Sequence, residues 1–387
     1  MRILLLLLLS VILTPVFSQI NFDARIELDL KDYDNFKTYA LGENGLLLLT
    51  SQKAGGGEDR WEFSFYDKDL TLLKAAATKI DKSLTLNSTY VSEDKVYSFF
   101  KRKDDYVLIT ANPETAEIVK VEGKLPKKST VEEIAALGEY VYLKMKIKRD
   151  PGLLRVNWNS GDARIISLEA SERGDRMDFE HLQVDEESQE VFAFVSARYE
   201  KREGNTYGLR FDESSKKTGE FRLSNRFEEN MVGASASKIA EEDYVFVGTY
   251  ADRFNGTPEG IYMTHWDGGK MQFLKKYPFA GFEDFFKWLP ERKQKKIERK
   301  KERRGDDFVV RYRIAEHNVI PTDDGYIFLG EAYSDLPLGE LHGVRKWSHR
   351  DALPNCLRRL SIHSCSFSWF RLRRESALGS DLRDEAG

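Results

Sequence analysis

Short apolar runs recur along this chain at an almost fixed interval, each opened by a turn of Gly, Asp, Glu or Asn. "NGLLLLTSQ" at 44–52 passes through a glycine loop to "WEFSFYDKDLTLLKAA" at 61–76. "GEYVYLKMKIKRDPGLLRVNWNSGDARIISLE" at 138–169 and "QEVFAFVSARYEKREGNTYGLRFDESSKKTGEFRLS" at 189–224 repeat the unit. It consists of a strand, a polar loop, a second strand ending near Phe-Asp or Trp-Asn, a turn and a third strand. The module begins at about 45, 95, 139, 189, 243 and 325. In one such strand Val191, Ala193 and Val195 share a face, while Phe192 and Phe194 share the other. Both faces are apolar, which fits a strand buried between neighbouring sheets. Small antiparallel units at this period predict an all-β, β-propeller-like array of about six blades, the last incomplete. A pair of tandem β-domains is the alternative.

Helical spacing occurs in one long stretch, "FAGFEDFFKWLPERKQKKIERKKERRGDD", an insertion at about 280–305. Phe282, Phe285, Phe286 and Leu289 fall at i, i+3, i+4 and i+7, which predicts a helix packing an apolar face on the body. Pro290 ends that helix or starts the next. From Lys287 to Arg304 there are ten Lys or Arg and three Glu, a local charge of +7; the remainder carries −11 of a net −4. Lys293, Lys295, Lys296, Arg299, Lys300 and Arg303 are therefore candidate contacts for an anionic surface, such as phosphate-bearing lipid or acidic polysaccharide. The alternative is a solvated helix supported by i,i+4 pairs such as Glu291–Lys295. No aromatic residues interleave with these charges for base stacking, which argues against nucleic acid as a partner.

The opening "MRILLLLLLSVILTPVFSQ" has a positive Arg2, an apolar run from Ile3 to Leu13 and a small Ser18, the pattern of a signal peptide at 1–18. That run is shorter than the roughly 20 residues a membrane-spanning helix needs, and no later segment is apolar enough to span. The expected product is soluble and exported, periplasmic or secreted. With 41% hydrophobic and 12% aromatic residues its composition is globular. The propeller-like domain is expected at 19–333 and an aberrant tail at 334–387. Both cysteines, Cys356 and Cys365, lie in that tail, so the body has no disulfide framework or thiolate metal site. A disulfide closing a small loop is one reading of the tail. Translation out of frame is another. Synonymous codons read from the second base at Cys356 permit an alternating strand ending in Phe-Asp, a Gly-Asn turn and a final Leu-Leu-Trp-Asp, the missing close of a sixth module. The strand at Tyr326 to Tyr333 would then be left with an open edge.

Candidate chemistry is sparse. The body holds His181, His265 and His317, far apart in sequence and without metal-ligand spacing. His265 shares a strand face with Ile261 and Met263 and is expected to be a packed core histidine. Asp178 and His181 could pair a base with its orienter, or could lie on a surface loop. There is no Gly-x-Ser-x-Gly elbow, phosphate-cradling loop or calcium loop. No cofactor and no metal are expected. Asn87 and Asn255 begin tripeptides that fit the N-glycosylation pattern.

The leader, the blade-like repeats and the basic insertion before "DGYIFLGEAY" resemble uncharacterised exported β-propeller-like proteins of bacteria. The resemblance is one of architecture, covers most of 20–333 and implies no activity; the tail departs from it. A non-enzymatic propeller binding a protein or polysaccharide partner over its loop face is the expected function. A propeller hydrolase or lyase acting on extracellular polymer through loop carboxylates is the alternative, and a non-functional truncated product a further one. Clustering of Asp, Glu and His with shifted pKa values would favour the enzyme.

Overall fold

The computed structural model describes residues 25–27, 33–333 except 93, 173, 200–203, 225–229, 254–255, 283–284, 288, 306–307 and 323–324, and the strand 366–373. The expected leader, Asn255, Cys356, Cys365 and the histidines of the tail, His342, His349 and His363, lie outside the described residues.

Strands pair into six small antiparallel sheets that follow chain order. The first holds β1 (Asn35–Ala40), β2 (Leu46–Gly55), β3 (Glu58–Tyr66) and β4 (Leu72–Asp81). The second holds β5 (Thr85–Val91), β6 (Val96–Arg102), β7 (Asp105–Ala111) and β8 (Ile118–Lys124). The third holds β9 (Ser129–Leu137), β10 (Tyr140–Ile147), β11 (Asp150–Asn157) and β12 (Ala163–Ile166). The fourth holds β13 (Arg176–Asp185), β14 (Glu190–Arg198), β15 (Gly204–Phe211) and β16 (Lys217–Arg222). The fifth adds β17 (Asn230–Met231) and β18 (Ser235–Ala240) to β19 (Asp243–Ala251), β20 (Gly260–Asp267) and β21 (Lys270–Pro278). The sixth holds β22 (Arg313–Glu316), β23 (Ile320–Thr322), β24 (Gly325–Tyr333) and β25 (Ser366–Arg373). Tight turns make this meander possible. Between β20 and β21, Gly268 and Gly269 both take positive φ, 55° and 76°, the twist that suits a two-residue hairpin.

The fold is all-β and propeller-like, in two compact units. The smaller comprises Met1–Lys82, Val91–Lys95 and Ala111–Ile118, and buries Leu47, Leu49, Phe63, Phe65 and Ile80 in the first sheet. In the larger, successive sheets share a core, and alternate residues of one strand serve different cores. Val191, Ala193 and Val195 of β14 pack with Leu153 and Tyr142 of the third sheet. Phe192 and Phe194 turn the other way, to Tyr244 and Phe246 of the fifth. On β19 the pattern repeats, with Val245 and Val247 facing Tyr326 and Phe328 of the sixth. Each large side chain buried this way contributes about 1.5–3 kcal/mol. This two-faced burial is what the wholly apolar runs predicted.

Two local expectations are corrected. The edge of β24 is not open: β22 and β23 pair with one side and β25 with the other, from Gly325↔Arg373 to Ala332↔Ser366. Among the described residues no strand pairs with the far side of β25. The Phe282–Leu289 segment packs on the body but not as a helix. Phe282 and Phe285 are buried beside Phe279, whose ring stacks on Phe285 at 5.0 Å, and the described backbone there is turn. The helix α1 is Glu291–Arg304, which starts after Pro290 and buries none of its residues. Among the described residues no helix is long and apolar enough to cross a membrane.

Candidate functional site

β13, β19, β22 and the start of β18, with the loops at 232–234 and 256–258, line an open cavity of about 420 Å³ in the larger unit. Its wall carries Glu180, His181, Thr249, Arg313, Glu316 and His317. These come from three sheets, so face-to-face stacking of the sheets assembles the site.

Glu180 sits where the pairing of β13 with β14 slips between Phe179 and His181, a bulge that re-aims the extra side chain. Burial pushes its carboxyl up, although the Ser196 hydroxyl donates a hydrogen bond to it and the Lys144 ammonium acts on it favourably. His181 Nε2 meets Asn318 Oδ1 at 3.2 Å, and its ring lies parallel to Phe194. Burial lowers its pKa, which keeps the imidazole neutral near pH 7. Gln183, two positions along β13, ties that strand to the fifth sheet. Its amide donates to the Ala236 carbonyl at 2.7 Å and its carbonyl accepts the Ala236 N–H at 2.8 Å.

Glu316 ends β22. The Thr249 hydroxyl donates to its Oε1 at 2.5 Å. Burial is the largest influence on this carboxyl and, with the nearby Glu180 charge, pushes it up to about 7 despite the Thr249 hydrogen bond. Two glycines make room for it. A Cβ on Gly233 would collide with the Glu316 carboxylate, and one on Gly248 would collide with the Gly233 carbonyl. The Tyr262 hydroxyl donates to that same carbonyl at 2.9 Å and fixes the loop. Among the described residues no Lys, Arg or His forms an ion pair with Glu316, and no three His, Cys, Asp or Glu side chains are grouped to hold a metal ion. The arrangement can accept hydrogen bonds, hold a cation, or exchange a proton at Glu316 near neutral pH.

Of the residues singled out from sequence, His181 and His317 come to one wall. His317 is held by Glu331 at 2.9 Å. Asp178 lies not on a surface loop but on β13, buried, paired with Arg176 at 2.9 Å and Lys146 at 3.8 Å rather than with His181. His265 is not a core histidine. Its ring reaches Asp243 at 2.7 Å and stays a quarter exposed, because a polar partner stands at the open end of the strand pair. Asn87 lies in β5 and donates to the Val131 carbonyl at 3.4 Å. Lys293, Lys295, Lys296, Arg299, Lys300 and Arg303 are all exposed on α1, with Lys295 paired to Glu291 at 2.6 Å. Glu180, Glu316, Thr249 and Gly233 carried no signal in the sequence, since no motif joins them.

No protein-family model and no curated protein matches the chain. Among solved structures, a variant of the Synechocystis apocarotenoid oxygenase aligns over 63% of this chain and 62% of its own, at 8% identity and a TM-score of 0.37. The chain thus spans less than two thirds of that enzyme's length. The Dos1 propeller aligns over 60% of this chain and 56% of its own, at 14% identity and a TM-score of 0.36. An uncharacterized protein of Listeria monocytogenes aligns over 65% and 68%, at 10% identity and a TM-score of 0.37. These likenesses are loose, and no activity transfers from any of them.

Proposed function

We propose that this chain is an exported binding protein that receives a polar group of a protein or polysaccharide partner in the cavity at Glu316. The apolar leader supports export, and α1 is an accessory contact for an anionic surface. The observation that carries the reading is the cavity itself, whose polar side chains come from three sheets and whose Glu316 carboxyl lacks an ion-pair partner among the described residues. Small polar molecules that bind should shift the amide resonances of Gly233, Thr249 and Gly256 in nuclear magnetic resonance spectra. Shifts that cluster elsewhere for every binder would refute it.

The second reading is a hydrolase or lyase using Glu316 and Glu180. It is favoured by two carboxyls pushed up on one wall, one of them close to neutrality, the arrangement general acid–base catalysis uses. Release of new chain ends from a polysaccharide by the wild type but not by Glu316→Gln would establish this reading over the first.

A further inference from the structure

We propose that the group entering the cavity is a primary ammonium, seated against the Glu316 carboxylate with Glu180 beside it. This deepens the binding reading above and rests on it. Elsewhere in the larger unit, buried charges have opposite charges at hand: Arg210 with Glu242 at 2.6 Å, and Asp178 with Arg176 at 2.9 Å. Glu316 has none among the described residues, yet the space in front of it is open. An isolated carboxylate taken out of water is disfavoured by several kcal/mol, and a cation placed against it removes that penalty.

The neighbours narrow the choice of cation. Glu180 on β13 adds a second carboxyl to the same wall, so an anionic ligand is repelled. A divalent metal such as calcium takes 6–8 oxygen ligands, and no group of three candidate ligands exists among the described residues. An ammonium needs acceptors for only three N–H bonds. The other groups facing Glu316 are compatible with a cation. Thr249 on β19 is a neutral hydroxyl, and Tyr262 on β20 stays protonated because burial and the Glu316 charge both raise it. His181 is kept neutral by burial, and His317 is held by Glu331. Arg313, three residues before Glu316 on the same strand, also lines the cavity and is exposed. Lys144 and Lys146 act on Glu180 and are themselves shared with Glu132 and Asp178.

Calorimetric titration of the full chain tests this with two ammonium sources, Nα-acetyl-lysine amide and glucosamine. Norleucine amide acetylated at nitrogen and glucose serve as neutral counterparts. At least one ammonium probe should bind about tenfold or more tightly than its counterpart, and Glu316→Gln should remove that preference. Binding of the lysine probe, which is fully protonated at pH 7, should also release about half a proton per site, read from two buffers of different ionisation enthalpy, because a cation favours the ionised carboxylate. Proton release is measured on the wild type and so does not depend on the variant folding; Glu180→Gln gives a second variant with a smaller loss. Neutral probes that bind as tightly and shift Gly233 and Thr249 would overturn the ammonium while leaving the cavity as a binding site. Calcium displacing the ammonium probes at Glu316 would overturn it in favour of a metal. Absence of binding by either ammonium probe up to about 10 mM would overturn it as well, and if no polar compound of any kind moves those amides the binding reading falls with it.

Discussion

Arg210 and Glu316 are both ionisable side chains of the larger unit, the first buried and the second half-buried on the cavity wall, and their surroundings differ. The Arg210 side chain is 5% exposed and donates to Tyr244 at 2.5 Å, Glu242 at 2.6 Å and Thr218 at 3.1 Å. Tyr244 in turn donates to Glu190 at 2.9 Å, and the Arg210 guanidinium lies over the Phe221 and Tyr244 rings. Glu316 has the Thr249 hydroxyl and a carboxyl of its own sign nearby. Where the fold buries charge for structure it surrounds that charge with partners. Beside the cavity it leaves a carboxylate without an ion-pair partner among the described residues. A charge kept in water needs no such arrangement, as on α1, whose basic residues are exposed and of which the six contact candidates show one direct ion pair, Lys295 with Glu291.

The largest effect expected from this contrast is at Arg210. Arg210→Met takes the guanidinium away from Glu242, the Tyr244 hydroxyl and Glu190 and should cost about 3–5 kcal/mol in urea unfolding; a cost below about 1 kcal/mol would remove the distinction between the two sites. The next lies in pH. The folded carboxyl of Glu316 is raised to about 7 from an ordinary 4.5, so its protonated form stabilises the fold fully below pH 4.5. That contribution is lost as pH rises through about 7, a change of about 3 kcal/mol. Glu316→Gln has no proton to lose, so the wild type should weaken relative to it between pH 5 and pH 8. A constant difference across that range would show Glu316 to be ordinary.

Smaller effects separate the glycines. Gly248→Ala meets backbone at Gly233 and should cost about 1–3 kcal/mol. Gly233→Ala meets the movable end of Glu316, so it should cost less stability while removing ligand binding. Smallest in stability is charge reversal of Lys293, Lys296 and Lys300 to Glu. Unfolding should change within about 0.5 kcal/mol, whereas binding to vesicles with anionic headgroups should weaken by about 1 kcal/mol for each basic residue lost near the surface. Unchanged vesicle binding would reduce α1 to a solvated helix.

The sequence pattern showed the strands that bury both faces and hid the strands that build the site. β14 and β19 read directly from their apolar runs, and the module starts coincide with the second strand of each of the first four sheets and with β19 and β24 of the last two. The opening strands were silent. β13, "RMDFEHLQVD", mixes Asp178, Glu180, His181 and Gln183 with its apolar residues because its polar side chains meet a cavity and the polar edge of the next sheet. A strand with that duty does not alternate cleanly, so periodicity passes over it. Glu316 was equally quiet, since its partner Thr249 lies 67 positions away and only stacking of sheets joins them. At the insertion, the phenylalanine spacing gave the right burial and the wrong element. Ring stacking on Phe279 and the stop at Pro290 favour a turn there, and the helix forms only in the charged run beyond.

One carboxyl group, that of Glu316, sets the cavity apart from the rest of the larger unit. Following the side-chain carboxyl carbon of Glu316 by nuclear magnetic resonance from pH 3 to pH 9, in the ligand-free chain, reads its ionisation directly. A midpoint near 7 that falls when an ammonium probe is added is the predicted result; a midpoint near the ordinary 4.5, unmoved by the probe, would contradict it.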